Sequence, residues 1–185
     1  KTEPDKVTIW SYWNNLMGDP AVDCWTDFPQ AISVSAPSSL PIGANSVAVT
    51  VTKSGAPEPG AQVCLWKGTE SYSVGRTNAA GQVELPVSAL TAGNMLLTVT
   101  KHDRTPYLAS IPVAVQTNYV GYQSHTVDDD GTGGSSGNGD GQANPGETIQ
   151  MPVQLKNFGS ASAGSVTAAL TSSDPYVTIV DGAES

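Results

Sequence analysis

Apolar and polar residues alternate along the middle of this chain of 185 residues. Between residues 30 and 116 the alternating stretches are short, and turn-forming residues separate them. Val47, Val49 and Val51, for example, occupy every second position of one stretch. A period of two places such side chains on one face of a strand. The predicted strands are residues 31–35, 46–53, 61–66, 72–77, 82–87, 94–101 and 107–115.

Seven short antiparallel strands with one buried face are the number typical of an immunoglobulin-like β-sandwich. The turns agree with this fold, because Pro57–Gly60 and Asn78–Gly81 are rich in turn-forming residues. Residues 54–63 and 77–83 also resemble the hairpins of bacterial surface immunoglobulin-like domains. We therefore predict an all-β protein whose main domain, residues 30–116, is an immunoglobulin-like antiparallel β-sandwich. Trp66 lies on an alternating strand and is predicted to belong to its core, although it could also stack on a carbohydrate.

Residues 1–29 follow a different pattern. Val7, Trp10, Trp13 and Met17 recur at spacings of three, three and four, which favours one apolar face of a helix. Gly18 then suits the end of a helix. We predict a short helical stub here, and one such helix cannot bury its two tryptophans alone.

Residues 117–147 change character again and are predicted to form an acidic, glycine-rich linker. Residues 148–185 then contain about three strand-like stretches, at 148–157, 166–171 and 176–180. Because a sandwich needs about seven strands, this part is predicted to be an incomplete second β-sandwich module. Its unpaired strand edges could pair with a second copy of the chain or with another strand.

Clustered carboxylate and amide oxygens on glycine-rich turns can wrap a calcium ion, which takes six to eight oxygen ligands. The linker offers five such side chains, and we predict them as a possible calcium site. The alternative is a solvated acidic linker without a metal. The five residues are Asp128, Asp130, Asn138, Asp140 and Glu147.

Charge and composition exclude several functions. The net charge is −9 and the eight Lys and Arg residues are scattered, which argues against binding nucleic acid. No run of about eighteen apolar residues is present, so no membrane span is predicted.

The two cysteines, Cys24 and Cys64, leave two alternatives open. They could form a disulfide that closes a loop of about forty residues, or they could be two buried thiols. Neither is predicted to be catalytic, because no set of His and Asn or Asp partners is evident.

The segment Asn14–Trp25, which reads Asn-Asn-Leu-Met-Gly-Asp-Pro-Ala-Val-Asp-Cys-Trp, resembles the end of the catalytic domain in gingipain-like cysteine peptidases of family C25. Residues 98–107 also resemble the immunoglobulin-like domain that follows the catalytic domain in that family. The resemblance implies a secreted or bacterial cell-surface parent whose catalytic His and Cys lie upstream. No catalytic residue is therefore expected in this chain.

The leading functional hypothesis is a non-catalytic β-sandwich fragment of such a peptidase. It would brace the upstream peptidase domain of the same parent chain and space that domain from later modules. The alternative is a carbohydrate- or protein-binding module of a bacterial surface adhesin, which an exposed line of aromatic residues on one sheet face would favour.

Overall fold

The computed structural model describes residues 25–184, so the predicted helical stub lies almost entirely outside the described residues. Within the described range every regular element is a strand, and no helix there is long and apolar enough to cross a membrane. The fold is thus all-β, as predicted. The strands are β1 (Ser33–Ser35), β2 (Leu40–Pro41), β3 (Ser46–Lys53), β4 (Ala56–Pro57), β5 (Gln62–Lys67), β6 (Ser71–Arg76), β7 (Gln82–Pro86), β8 (Gly93–Thr100), β9 (Tyr107–Ala114), β10 (Val120–His125), β11 (Val153–Asn157), β12 (Ala168–Ala169) and β13 (Ala183–Glu184).

The first nine strands form two sheets. One sheet has β3 at its centre, paired antiparallel with β1, β4 and β7. The other has the order β2-β9-β8-β5-β6, in which all neighbours are antiparallel except β2 and β9. Antiparallel sheets with a single apolar face bury that face by packing on one another, which is the sandwich arrangement.

Both sheets contribute alternate residues to one hydrophobic core. Every second residue of β3 is buried, and the same period holds in β5 and β8. The alternation predicted from the sequence is therefore confirmed. The core includes Val47, Val49, Val51, Val63, Leu65, Leu85, Met95, Leu97, Val99, Ile111 and Val113.

The turn at Asn78–Gly81 shows why its residues are needed. The Asn78 side chain accepts hydrogen bonds from the backbone N–H groups of Ala80 (2.9 Å) and Gln82 (3.0 Å). Gly81 has a φ of +73°, and a Cβ atom there would lie 2.4 Å from the carbonyl oxygen of Val51. The turn thus requires both an Asx-type side chain and a residue without Cβ.

The region after the sandwich differs in part from the prediction. Residues 117–147, predicted as a linker, contribute strand β10, which pairs antiparallel with β11. The predicted strand at 148–157 is shorter, since β11 covers only Val153–Asn157. Further on, the two-residue strand β12 covers only Ala168–Ala169 of the strand predicted at 166–171, and residues 176–180 form no strand.

The residues that follow the sandwich contact it and its last strand directly. The Phe158 ring packs so closely on Gly43 that a Cβ atom at residue 43 would lie 2.5 Å from the ring. The backbone N–H groups of Ser160 and Ala161 donate to the carbonyl oxygens of Gln116 and Thr117, each at 2.9 Å. These contacts fix the position of the β10–β11 pair against one end of the sandwich.

Candidate functional site

Asp103 joins the beginning of the described chain to the sandwich. Its carboxylate accepts hydrogen bonds from the backbone N–H of Thr26 (2.8 Å), the hydroxyl of Thr26 (2.8 Å) and the backbone N–H of Asp27 (3.3 Å). Two backbone hydrogen bonds extend the contact: Gln30 donates to the carbonyl of Asp103, and Thr105 donates to that of Gln30. We call these interactions the Asp103 clamp.

The electrostatics of Asp103 agree with this role. Partial desolvation raises the pKa of its carboxyl, but the hydrogen bonds from Thr26 and Asp27 and the nearby His102 outweigh it and lower the pKa below its usual value. Asp103 also has a φ of +56°, a conformation that Asp and Asn tolerate better than most residues. The clamp therefore needs an anionic side chain on a left-handed backbone.

Buried Glu58 holds the loop that carries Asp103. Its carboxylate contacts the Lys101 ammonium and lies 3.3 Å from the Arg104 guanidinium. Burial raises the pKa of Glu58, and the two cations outweigh this effect and lower it. The loop is thus tied to Glu58 on both sides of Asp103.

A second charged network surrounds Glu70, which lies in the loop that joins β5 to β6. Its carboxylate contacts buried Lys67 and the backbone N–H of Leu90, and it accepts a hydrogen bond from the backbone N–H of Thr91 at 3.0 Å. Burial raises the pKa of Glu70, but hydrogen bonds from these groups and the Thr91 hydroxyl lower it to about 2. This network stabilises the loop before β8.

Asp129, which the sequence analysis did not single out, organises the acidic connector. Its side chain is only 2% exposed, and its carboxylate accepts backbone N–H hydrogen bonds from Gly139 (3.0 Å), Asp140 (3.1 Å) and Gly141 (3.0 Å). Gly137 packs against it, since a Cβ atom there would lie 2.8 Å from the Cβ atom of Asp129. A buried anion that accepts three N–H bonds folds the glycine-rich run around itself.

The five predicted calcium ligands lie around this buried carboxylate, where they bond to neighbouring groups. Glu147 accepts the N–H groups of Asn138 (3.2 Å) and Asn144 (2.9 Å), and Asp140 accepts that of Gln142 (2.9 Å). Hydrogen bonds from the hydroxyl and N–H of Thr132 lower the pKa of Asp130.

Asp128 accepts a longer hydrogen bond, 3.3 Å, from the hydroxyl of Ser135. Asn138 donates from its side-chain amide to Asp140 at 3.2 Å. Among residues 25–184, no group of three or more His, Cys, Asp or Glu side chains is placed to hold a metal ion. The calcium site stays a prediction.

Trp66 does not belong to the core, so that prediction is wrong. It points away from the other sheet and is 47% exposed, beside Tyr72, which is 74% exposed. Successive side chains of a strand point to opposite faces of the sheet. Val63 and Leu65 point inward, so Cys64 and Trp66 point outward.

The candidate disulfide has only one end in the described range. Cys64 is half-buried in β5, while Cys24 lies outside the described residues. The pairing of the two cysteines therefore stays a prediction.

No protein-family model matches the chain, and no curated protein matches it. Among solved structures, the chain is similar to the Arg-specific cysteine proteinase gingipain R, with 20% identity and a TM-score of 0.44 over 52% of this chain and 22% of that chain. A complex of Porphyromonas gingivalis RgpB pro- and mature domains gives 20% identity and a TM-score of 0.43 over the same shares of the two chains.

A structure described only as a protease gives 26% identity and a TM-score of 0.42 over 52% of this chain and 21% of that chain. The matched part thus spans about a fifth of the length of these solved chains. Over about half of its own length, the chain is similar to the gingipains, the family that residues 14–25 resemble.

Proposed function

We propose that this chain is a non-catalytic part of a secreted, gingipain-like cysteine peptidase, in which the sandwich braces the upstream peptidase domain. The Asp103 clamp carries this proposal. A brace must hold the segment that arrives from its neighbour, and the three hydrogen bonds from Thr26 and Asp27 to Asp103 fix the chain where it reaches the sandwich.

The same sandwich would space the peptidase from later modules. The close packing of Phe158 on Gly43 supports this, because a spacer sets a distance only when both of its junctions are fixed. The connector around buried Asp129 adds to that rigidity, since its glycine-rich run is hydrogen-bonded to one carboxylate instead of being left free.

Secretion, or display on the bacterial cell surface, belongs to the same proposal. The expected partners are the peptidase domain of the parent chain and, through unpaired strand edges, a second copy.

A peptidase assay tests the non-catalytic part of the proposal. The chain is incubated with a peptide library that varies the residue before the cleaved bond, with an active cysteine peptidase as the positive control. We expect no cleavage by this chain, because the family's catalytic pair lies upstream of residues 14–25. Cleavage by this chain that thiol alkylation abolishes would contradict the proposal.

The second candidate function is a binding module of a bacterial surface adhesin that recognises carbohydrate or protein. The exposed pair Trp66 and Tyr72, directly opposite each other on β5 and β6, favours it. Neighbouring aromatic rings on a sheet can stack on apolar faces of a ligand. A glycan array tests this function: binding that is lost in both W66A and Y72A, and retained in the β11 variant L155A, would support it.

A further inference from the structure

Strand β6 (Ser71–Arg76) lies at one edge of the five-stranded sheet. It pairs with β5 over all six of its residues, without a bulge. Among residues 25–184, no strand pairs with its other side, which we call the free edge. A regular edge strand presents a row of backbone N–H and C=O groups to which another strand can bind. The free edge is therefore a candidate interaction surface.

The other edge strands of the sandwich carry features that hinder such pairing. β1, β2 and β4 are only three, two and two residues long. β7 has Glu84 at its centre and ends at Pro86. β9, which pairs with β2 only at its end, contains Pro112, and residues 34–38 line a groove together with it. Short length, charge and proline are common protections of a sheet edge. β6 has six residues, no proline and one charged residue, Arg76.

Arg76 does not protect the free edge, because its side chain is turned towards β5. The guanidinium donates to the carbonyl oxygen of Gly60 at 3.2 Å and to the side-chain oxygen of Gln62 at 3.3 Å. Although the whole chain has a net charge of −9, β6 itself contains no acidic residue. Two copies of the chain can thus approach along β6 without bringing carboxylates of this strand together.

The hydrogen bonds next to β6 show which of its backbone groups point to the free edge. Thr77 follows the strand, and both its N–H and its C=O are bonded to the residues just before β5, at 3.0 and 2.8 Å. These directions alternate along an antiparallel strand. The N–H and C=O groups of Tyr72, Val74 and Arg76 therefore point away from β5. The side chains of Tyr72 and Val74 are 74% and 42% exposed, so apolar surface accompanies these groups.

We propose that β6 pairs antiparallel with β6 of a second copy, with Val74 of the two copies directly opposite each other. This register also places Tyr72 of each copy opposite Arg76 of the other. All three residues with outward backbone groups are then used, and each opposed pair exchanges two hydrogen bonds. The inference rests on the proposed function, which expects a second copy at an unpaired strand edge, and it names that edge.

The free edge is complementary to itself, which favours a second copy as the occupant. Opposed residues of an antiparallel pair lie on the same face of the sheet, so the two Val74 side chains contact each other and the two five-stranded sheets become one. The six residues that each copy contributes are fewer than the about 20–30 residues a side of a stable interface. We therefore expect a weak dimer that depends on concentration.

Sedimentation velocity of the full chain under reducing conditions tests the pairing, over about a hundredfold range of protein concentration. The wild type should shift from monomer towards dimer as the concentration rises. V74P should weaken the association by at least about tenfold, because it removes an N–H group from the free edge of each copy. Since this N–H points away from β5, V74P at low concentration should have a melting temperature close to that of the wild type.

Charge variants give a second test that does not change the backbone. V74K and V74E should each stay monomeric, because like charges would lie directly opposite each other in the dimer. An equimolar mixture of V74K and V74E should dimerise again, since the opposed charges then attract. The control is L96K. Leu96 lies on the central strand β8 and is 42% exposed, as Val74 is, so L96K should dimerise like the wild type.

A wild type that stays monomeric at every concentration would overturn the proposal, as would a V74P variant that dimerises like the wild type. A mixture of V74K and V74E that stays monomeric would also overturn it. Loss of the dimer in L96K as well as in V74K would show that the copies pack face to face instead of edge to edge, which contradicts the proposal. None of these results bears on the Asp103 clamp, which is tested separately by amide exchange at Thr26 and Asp27.

Discussion

Asp103 and Thr26, 77 residues apart in sequence, are joined by two hydrogen bonds of 2.8 Å. A single carboxylate accepts both the backbone N–H and the hydroxyl of the same residue, so it fixes the main chain and the side chain together. Because Glu58 holds the loop of Asp103 through Lys101 and Arg104, the position of Thr26 is tied to the body of the sandwich.

Glu70 should make the sandwich sensitive to acid. Its folded pKa of about 2 lies below the ordinary value of 4.5. The stabilisation of the folded state by the ionised Glu70 carboxylate is therefore complete above pH 4.5 and is lost as the pH falls from about 4.5 to about 2. E70Q should lower the free energy of unfolding by about 1.5–3 kcal/mol at pH 7, because it removes charged hydrogen bonds to Lys67 and Thr91.

The measurement is urea unfolding of wild type and E70Q between pH 2 and pH 7, with E84Q as the control. Glu84 is exposed and accepts one hydrogen bond, from the Ser46 hydroxyl. The difference in the free energy of unfolding between wild type and E70Q should shrink towards pH 2. If this difference stays constant across the pH range, the contribution of Glu70 does not depend on its charge.

Oxidised protein should contain the Cys24–Cys64 disulfide. The chain-entropy model gives about 4 kcal/mol for closing a loop of this length. The attachment of Trp25 beside Gln62, two residues before Cys64 in β5, favours the pairing. Intact mass after alkylation without reductant decides the question, since two alkylated thiols would exclude the bridge.

Calcium should bind in the acidic connector and raise the melting temperature by mass action. The predicted ligands are Asp128, Asp130, Asn138, Asp140 and Glu147, and D140A should abolish the stabilisation. The control is S136A, because the side chain of Ser136 is exposed, whereas Ser135 donates to Asp128 and Asp130. If calorimetry detects no heat of binding at millimolar calcium and a chelator does not change the melting temperature, the connector is a solvated acidic linker without a metal.

The strands of the sandwich could be predicted because their inward positions are apolar at every second residue. The prediction for residues 46–53 coincides with β3, and most other predicted strands of the sandwich agree with the structure to within a residue at each end. The orientation of Trp66 was harder, because Val63, Cys64, Leu65 and Trp66 are all apolar. In such a run the sequence does not show which of the two alternating sets of side chains faces the core.

For a similar reason, the sequence could not show that Asp129 is the buried residue and its neighbours are not. Three consecutive aspartates precede the glycines, and their sequence alone does not show which one is buried. The signal was present in the glycine-rich run itself, since backbone N–H groups without side chains around them can converge on one carboxylate. The predicted strand at 166–171 is reduced to Ala168–Ala169 in the structure, where both residues are exposed and lack a buried face.

Amide hydrogen exchange on the full chain tests most directly whether the sandwich holds the segment that precedes it. If it does, the amides of Thr26 and Asp27 exchange far more slowly than in an unstructured peptide. D103N should speed their exchange by about tenfold while the strands β3, β5 and β8 stay protected. D181N, at an exposed aspartate of the second module, should change nothing at these two amides. The bracing role would be contradicted if, in the wild type, the amides of Thr26 and Asp27 exchanged as fast as those of an unstructured peptide while the strands stayed protected.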